Sequence, residues 1–221
     1  MPEANAQPTP CGAVFFDRDG TLIRDTGYLH DPALVELLPG VKDTLHELRA
    51  HGFLLFLFTN QSGVARGYFT MDDVRAVNLR LSRLLGDRDE FFDGTCVAPE
   101  HPDEQPVYRK PCPRYILETM EKFGLAPETC YMVGDRTSDL EAGLNAGIGA
   151  FRYFGDLDDA KAARFAEEKG LRSFSDFSDL TKILLEDSSA NYQRNGIKFA
   201  DLTSADDFDS LESKQETRNG R

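Results

Sequence analysis

Three apolar runs in this chain break off at polar residues, and that arrangement limits the fold more than any other feature. AVFF (13–16) stops at Asp17, FLLFLF (53–58) at Thr59-Asn60, and CYMV (130–133) at Gly134-Asp135. Apolar runs without alternation belong to strands buried on both faces, the condition of a parallel sheet covered by helices. The intervening segments have helical spacing. VKDTLHELRAHG (41–52) aligns Val41, Leu45 and Leu48 and stops at Gly52. MDDVRAVNLRLSRLLG (71–86) aligns Val74, Val77, Leu81, Leu84 and Leu85 behind an acidic start. A short strand at TCVA, a loop rich in proline and charge (99–113), helices through YILETMEKFG and LEAGLNAG, and a strand at IGAFRYF complete the pattern. The expected fold is α/β, a three-layer Rossmann-like sandwich around a mostly parallel sheet. Ligands in such sheets bind beyond the carboxyl ends of the strands, which is where Asp17, Thr59, Asn60 and Asp135 fall.

The 221 residues suffice for one substantial core and are few for two. A lead-in at 1–11 is expected to be disordered, a single domain to occupy 12–185, and an acidic, Ser- and Asn-containing tail at 186–221 to be disordered. The formal charge of -13 argues against nucleic acid or an anionic membrane as partner, because phosphate binding needs a dense cationic face. FLLFLF is too short to cross a bilayer. The start, MPEANAQPTPCG, lacks the basic and apolar regions of a signal peptide. Cys11, Cys96, Cys112 and Cys130 form no C-x-x-C pair, which fits reduced thiols and a cytoplasmic setting. A monomer is expected.

Asp17 and Asp19 stand two residues apart on an extended segment, hence on one side of it. Two such carboxylates repel each other unless something neutralises them. With Asp135 at another strand end they make oxygen ligands for a hard divalent cation such as Mg²⁺. A carboxylate can also act as a covalent nucleophile, and a neighbouring carboxyl can deliver or remove a proton.

DRDGT (17–21), TNQSG (59–63), RKP (109–111) and GDRTSD (134–139) resemble, in order and spacing, the four motifs of the haloacid dehalogenase superfamily. The resemblance covers residues 13 to 155. Within it, FFDRDGTLIRDTGY, TNQSGVARGYFT and YRKPCP are similar to the branch of phosphatases acting on heptose 1,7-bisphosphate and histidinol phosphate. The resemblance implies Asp17 as nucleophile and Asp19 as general acid and base, with Mg²⁺ on Asp17, the Asp19 carbonyl and Asp135. It implies Thr59 and the Asn60 amide, within the stretch continuing through Gln61 and Ser62, on the phosphoryl oxygens, and Lys110 as their counter-charge. Arg109 and the flap residues Asp25, Thr26, Gly27 and Tyr28 would meet the rest of a small phosphorylated metabolite. Phosphoryl transfer asks mainly for positioning and charge compensation, which these residue types supply.

The chain also departs from that branch. Where the relatives carry a zinc loop, Ala98, Glu100, Pro106 and Tyr108 replace the ligands, so structural zinc is not expected. Too little chain separates Leu22 from Val41 for a large cap, so an open site is expected. The substrate implied is heptose 1,7-bisphosphate, losing its 7-phosphate, with histidinol phosphate or another sugar or nucleotide phosphate as alternatives. A catalytically silent phosphate-binding scaffold is the rival of another class.

Overall fold

The computed structural model describes residues 10–86, 90–155 and 159–194. Six strands form one sheet in the order β3-β2-β1-β4-β5-β6, and every pairing in it is parallel. β1 (Gly12–Phe16) runs between β2 (Phe53–Asn60) and β4 (Cys130–Gly134). β3 (Gly94–Ala98) forms one edge; β5 (Gly149–Tyr153) and the short β6 (Ser173–Phe174) extend the other.

β1 is central because its whole length is apolar or glycine, and each of its residues is buried. Its side chains alternate between two cores, as a strand's must. Val14 and Phe16 join Leu45, Leu48, Val77 and Leu81 on one face. Ala13 and Phe15 join Phe56, Phe58, Ile116 and Met132 on the other. Each large apolar side chain so buried contributes roughly 1.5–3 kcal/mol. The first face is covered by α1 (Val41–Ala50), α2 (Met71–Gly86) and α6 (Ser178–Arg194). The second is covered by α3 (Arg114–Phe123) and α4 (Thr137–Asn145), with α5 (Ala160–Lys169) packing Ala166 against Leu140 and Ala150.

The chain winds outward from β1 in one direction through β2 and β3, then returns to β1's other side with β4. That reversal puts the ends of β1 and β4 next to each other, the place where such sheets bind ligands. The register pairs Phe16 with Leu57 and with Val133, so the residues following all three strands emerge together.

The expected elements up to residue 154 are present, with α4 starting three residues before LEAGLNAG. The early start follows from Asp139, whose Oδ2 accepts the Arg136 N–H at 2.9 Å and so caps the helix. Beyond Tyr153 the apolar patterns assign nothing, and there the structure adds α5, β6 and α6. The boundary expected at 186 falls inside α6, which continues to Arg194; the rest of the expected tail, 195–221, lies outside the described residues. Of the expected lead-in, residues 1–9 also lie outside, whereas Cys11 is buried and its N–H donates to the Gly52 carbonyl at 3.0 Å. Between Thr21 and Val41 the chain makes a tight turn, isolated bridges pairing Asp19 with Ile23 and Ile23 with Leu37, and one 3₁₀ turn (Pro32–Leu34). No large cap stands there. Among the described residues no helix is long and apolar enough to cross a membrane.

Candidate active site

A cleft of about 400 Å³ opens over the ends of β1, β2 and β4. Asp17 lies on its floor, 7% exposed, because it is the first residue after a buried strand; its N–H donates to the Val133 carbonyl at 2.9 Å. Lys110, 2% exposed, places its ammonium 2.5 Å from Asp17 Oδ1 and 2.7 Å from Asp139 Oδ1, and donates to the Phe58 carbonyl at 2.7 Å. Burial works to lower the Lys110 pKa, but Asp139 and Asp17 outweigh it and hold the ammonium above its ordinary value. Lys110 arrives from an irregular loop, and Asn60 fixes it there. The Asn60 side-chain amide accepts the Lys110 N–H at 2.9 Å and donates to its carbonyl at 3.2 Å.

Asp17, Asp135 and Asp139 bring one carboxylate oxygen each within 4.8 Å of one another. Burial pushes Asp17 up to about 6, against the pull of Lys110. Burial and then the charges of Asp17 and Asp139 push Asp135 up to about 8. Carboxylates held this reluctantly as anions gain from a cation. Four carboxylates meet here, counting Asp19, against the two buried cations Arg18 and Lys110, and the excess negative charge suits a divalent ion bound through oxygen. Gly20 makes the close approach possible. Its φ of 84° is left-handed, and a Cβ on it would lie 2.7 Å from Asp135 Oδ2. The Thr21 hydroxyl donates to Asp135 Oδ1 at 3.2 Å.

Asp19 sits in a separate network. Its Oδ2 accepts from Gln61 Nε2 at 2.7 Å and from Arg18 Nε at 3.1 Å. Burial raises its pKa while the Arg18 guanidinium lowers it, and the net shift is upward. Arg18 is fully buried and donates to Asn78 Oδ1 on α2 at 2.8 Å. Gln61 Nε2 also donates to the Thr59 hydroxyl at 2.8 Å, so Thr59 is buried beneath Gln61 and does not line the cleft.

The structure brings most of the expected residues together. Asp17, Asp19, Asp25, Gly27, Tyr28, Asn60, Gln61, Ser62, Arg109 and Lys110 all line the cleft; Thr26 is exposed and does not. Arg109 Nη1 is buried without a hydrogen-bond partner, and desolvation holds the Arg109 pKa below its ordinary value. Arg136 adds a cation at the rim, its Nη2 2.8 Å from Asp25 Oδ2. The structure also adds Ser138 and the buried Arg18. Arg18 sits between two catalytic candidates in DRDGT, but an arginine at a strand end reads as solvated until Asn78 is placed beside it.

The loop at 99–113 is closed at its neck by hydrogen bonds. Glu100 Oε1 accepts the Tyr108 N–H at 2.8 Å, Tyr108 Oη donates to Glu118 Oε2 at 2.9 Å, and the Arg114 guanidinium lies over the Tyr108 ring at 5.0 Å. Two of the four positions where the sequence shows replaced zinc ligands are thus joined to each other directly.

Comparison with known proteins places this geometry in a family. The family model of haloacid dehalogenase-like hydrolases matches residues 25–147. The D-glycero-beta-D-manno-heptose-1,7-bisphosphate 7-phosphatase of Pasteurella multocida (strain Pm70) is 39% identical over 142 residues, covering 62% of this chain and 77% of that one. The enzyme of the same name from Escherichia coli (strain K12) is 37% identical over 144 residues, covering 62% and 75%. Among solved structures, the D,D-heptose 1,7-bisphosphate phosphatase of B. bronchiseptica, complexed with magnesium and phosphate, aligns over 79% of this chain and 98% of its own. Its TM-score of 0.69 at 24% identity speaks for the fold. By family match, by relatives and by fold, the chain belongs to the haloacid dehalogenase-like hydrolases.

Proposed function

We propose that this phosphatase removes the 7-phosphate of D-glycero-D-manno-heptose 1,7-bisphosphate through an aspartyl-phosphate on Asp17. The observation that carries the chemistry is Asp17 on the floor of a cleft at the β1/β4 reversal, paired with Lys110 and with the Asp135 and Asp139 carboxylates within 4.8 Å of it. The substrate reading rests on the relatives, which bear that name along most of their length.

A carboxylate oxygen of Asp17 attacks phosphorus, and the bond from phosphorus to the ester oxygen breaks. Asp19 gives its proton to the departing sugar oxygen; its burial favours holding that proton beforehand. The now anionic Asp19 takes a proton from water, whose oxygen attacks phosphorus and releases inorganic phosphate and free Asp17. Lys110, kept charged by Asp17 and Asp139, offsets charge on the phosphoryl oxygens, and the Asn60 main-chain amide would supply a further donor, the Gln61 N–H being bonded to the Ala98 carbonyl. Asp17 and Asp135, with Asp139 beside them, are the side chains that would hold Mg²⁺, joined by the Asp19 carbonyl. When bound, the ion would supply further neutralisation of the transferring group.

The test is phosphate release from both anomers of heptose 1,7-bisphosphate, with histidinol phosphate and common sugar and nucleotide phosphates as competitors. Asp17→Asn should abolish release while leaving the far-ultraviolet dichroism unchanged, and EDTA should stop the wild type until Mg²⁺ is restored. Undiminished turnover in the Asn variant would overturn the nucleophile, and a preference for histidinol phosphate would overturn the substrate.

A further inference from the structure

The largest fully buried side chain among the described residues is a charged one, Arg18, and the chemistry above does not use it. Its carbonyl accepts the N–H groups of Leu22 at 2.9 Å and Ile23 at 3.1 Å, closing the turn after β1. Its guanidinium lies along the Asp19 carboxylate, with Nε 3.1 Å and Nη2 3.0 Å from Oδ2, and Nη2 3.2 Å from Oδ1. The far end, Nη1, donates to Asn78 Oδ1 at 2.8 Å. Asn78 is half-buried on α2, next to buried Val77 and one turn from buried Val74 and Leu81, so the core fixes its place. It lines no part of the catalytic cleft and borders instead a separate hollow of about 540 Å³, with Ser82, Phe91 and Val97.

Taking a guanidinium out of water is costly, and an apolar side chain of similar volume often serves stability as well or better. Packing therefore does not account for an arginine at this position. Its donors do: a planar fork can grip a carboxylate along one edge and an acceptor at its far end, which a lysine ammonium cannot. The grip leaves the two Asp19 oxygens unequal. Oδ2 is held by Gln61 Nε2 at 2.7 Å and by two guanidinium nitrogens. Oδ1 has one contact among the described residues, the longer one at 3.2 Å. The Asp19 side chain is 22% exposed and lines the cleft. Oδ1 is thus the oxygen with lone pairs to spare.

We propose that Arg18 and Asn78 are positioning residues that clamp Asp19 so that its Oδ1 exchanges the proton of the reaction. This deepens the phosphatase reading and rests on its assignment of Asp19 as acid and then base. In the first step the Oδ1–H bond breaks and the proton goes to the ester oxygen as that oxygen leaves phosphorus. In the second, Oδ1 takes a proton from the water whose oxygen joins phosphorus. Both transfers require one oxygen at one place, and small displacements of a reacting group are costly in rate. Without the Asn78 acceptor, Nη1 is left unpaired and the guanidinium is free to turn, carrying Asp19 with it.

The experiment compares kcat/KM on heptose 1,7-bisphosphate, whose alkoxide leaves poorly without a proton, and on acetyl phosphate, whose acetate leaves unaided. This constant covers steps through formation of the aspartyl-phosphate, so proton donation alone distinguishes the two substrates, and their ratio does not depend on how much of a variant is folded. In Asn78→Leu the value on the heptose should fall on the order of tenfold and that on acetyl phosphate by no more than about twofold. Asn78→Asp retains the acceptor oxygen and should recover most of the loss. Arg18→Lys keeps the charge without the fork and should show a larger loss with the same selectivity. Equal losses on both substrates in Asn78→Leu, or none on either, overturn the clamp. Asp19→Asn is the control: selectivity there but not in Asn78→Leu overturns the clamp while leaving the phosphatase reading intact. Asp19→Asn without selectivity, or no release by the wild-type protein from either substrate, would sink the role of Asp19 and the clamp with it.

Discussion

Lys110 carries its charge where burial alone would remove it, and three acceptors keep it there: Asp17, Asp139 and the Phe58 carbonyl. A lysine so placed bears on the fold and on the proposed chemistry together. Lys110→Met should lower kcat on the order of a hundredfold or more, as loss of a preorganised counter-charge does. It should also destabilise the protein by about 3–5 kcal/mol, because Asp17 and Asp139 lose their buried partner; kinetics and urea unfolding check the two effects separately. The sequence displays Lys110 plainly, in RKP. What it hides is the support around it: Asn60 reads as a phosphate ligand or a turn residue, and only the fold shows its side chain gripping the Lys110 main chain. Asp139 serves two ends, ion-pairing with Lys110 through one oxygen and capping α4 through the other.

The elements that position the site follow from apolar runs long enough to read, which is why β1, β2 and β4 are legible with their polar ends. α5 and β6 are not, because AKAARFAEEK offers small residues in place of a large apolar stripe and β6 is two residues long. α6 runs past the expected boundary at 186 to Arg194, because a helix continues as long as its backbone bonds do, whereas composition tracks apolar content. The loop at 99–113 is held by side-chain chemistry instead of regular structure. Its neck, Glu100 to Tyr108, stands immediately before Arg109. Glu100→Ala should therefore raise KM by about three- to tenfold, the worth of roughly one hydrogen bond, with kcat less affected. Glu100→Gln retains an acceptor for the Tyr108 N–H and should recover most of the loss in steady-state assays. Equal defects in both variants would show that charge on Glu100, and not the neck, is what matters.

For the whole molecule, the acidic cluster ties stability to pH and metal. Asp17 at about 6 and Asp135 at about 8 bind protons in the folded state that their unfolded counterparts, near 3.8, have already released. Between roughly pH 4 and pH 8 these two groups thus hold more protons in the metal-free fold than in the unfolded chain, and their contribution to stability falls as pH rises through that window. Mg²⁺ competes with those protons, so the rise in thermal midpoint on adding it should be larger at pH 8 than at pH 6; equal rises would count against the cluster as a metal site. The reversal of strand order has a further consequence, for synthesis. Asp17 and Lys110 are 93 residues apart in the chain, and Asp135 comes later still, yet β4 must slot beside β1 before the three can meet. A nascent polypeptide therefore carries Asp17 long before Lys110 and Asp135 exist, and activity in the proposed reaction would report that β4 has closed against β1.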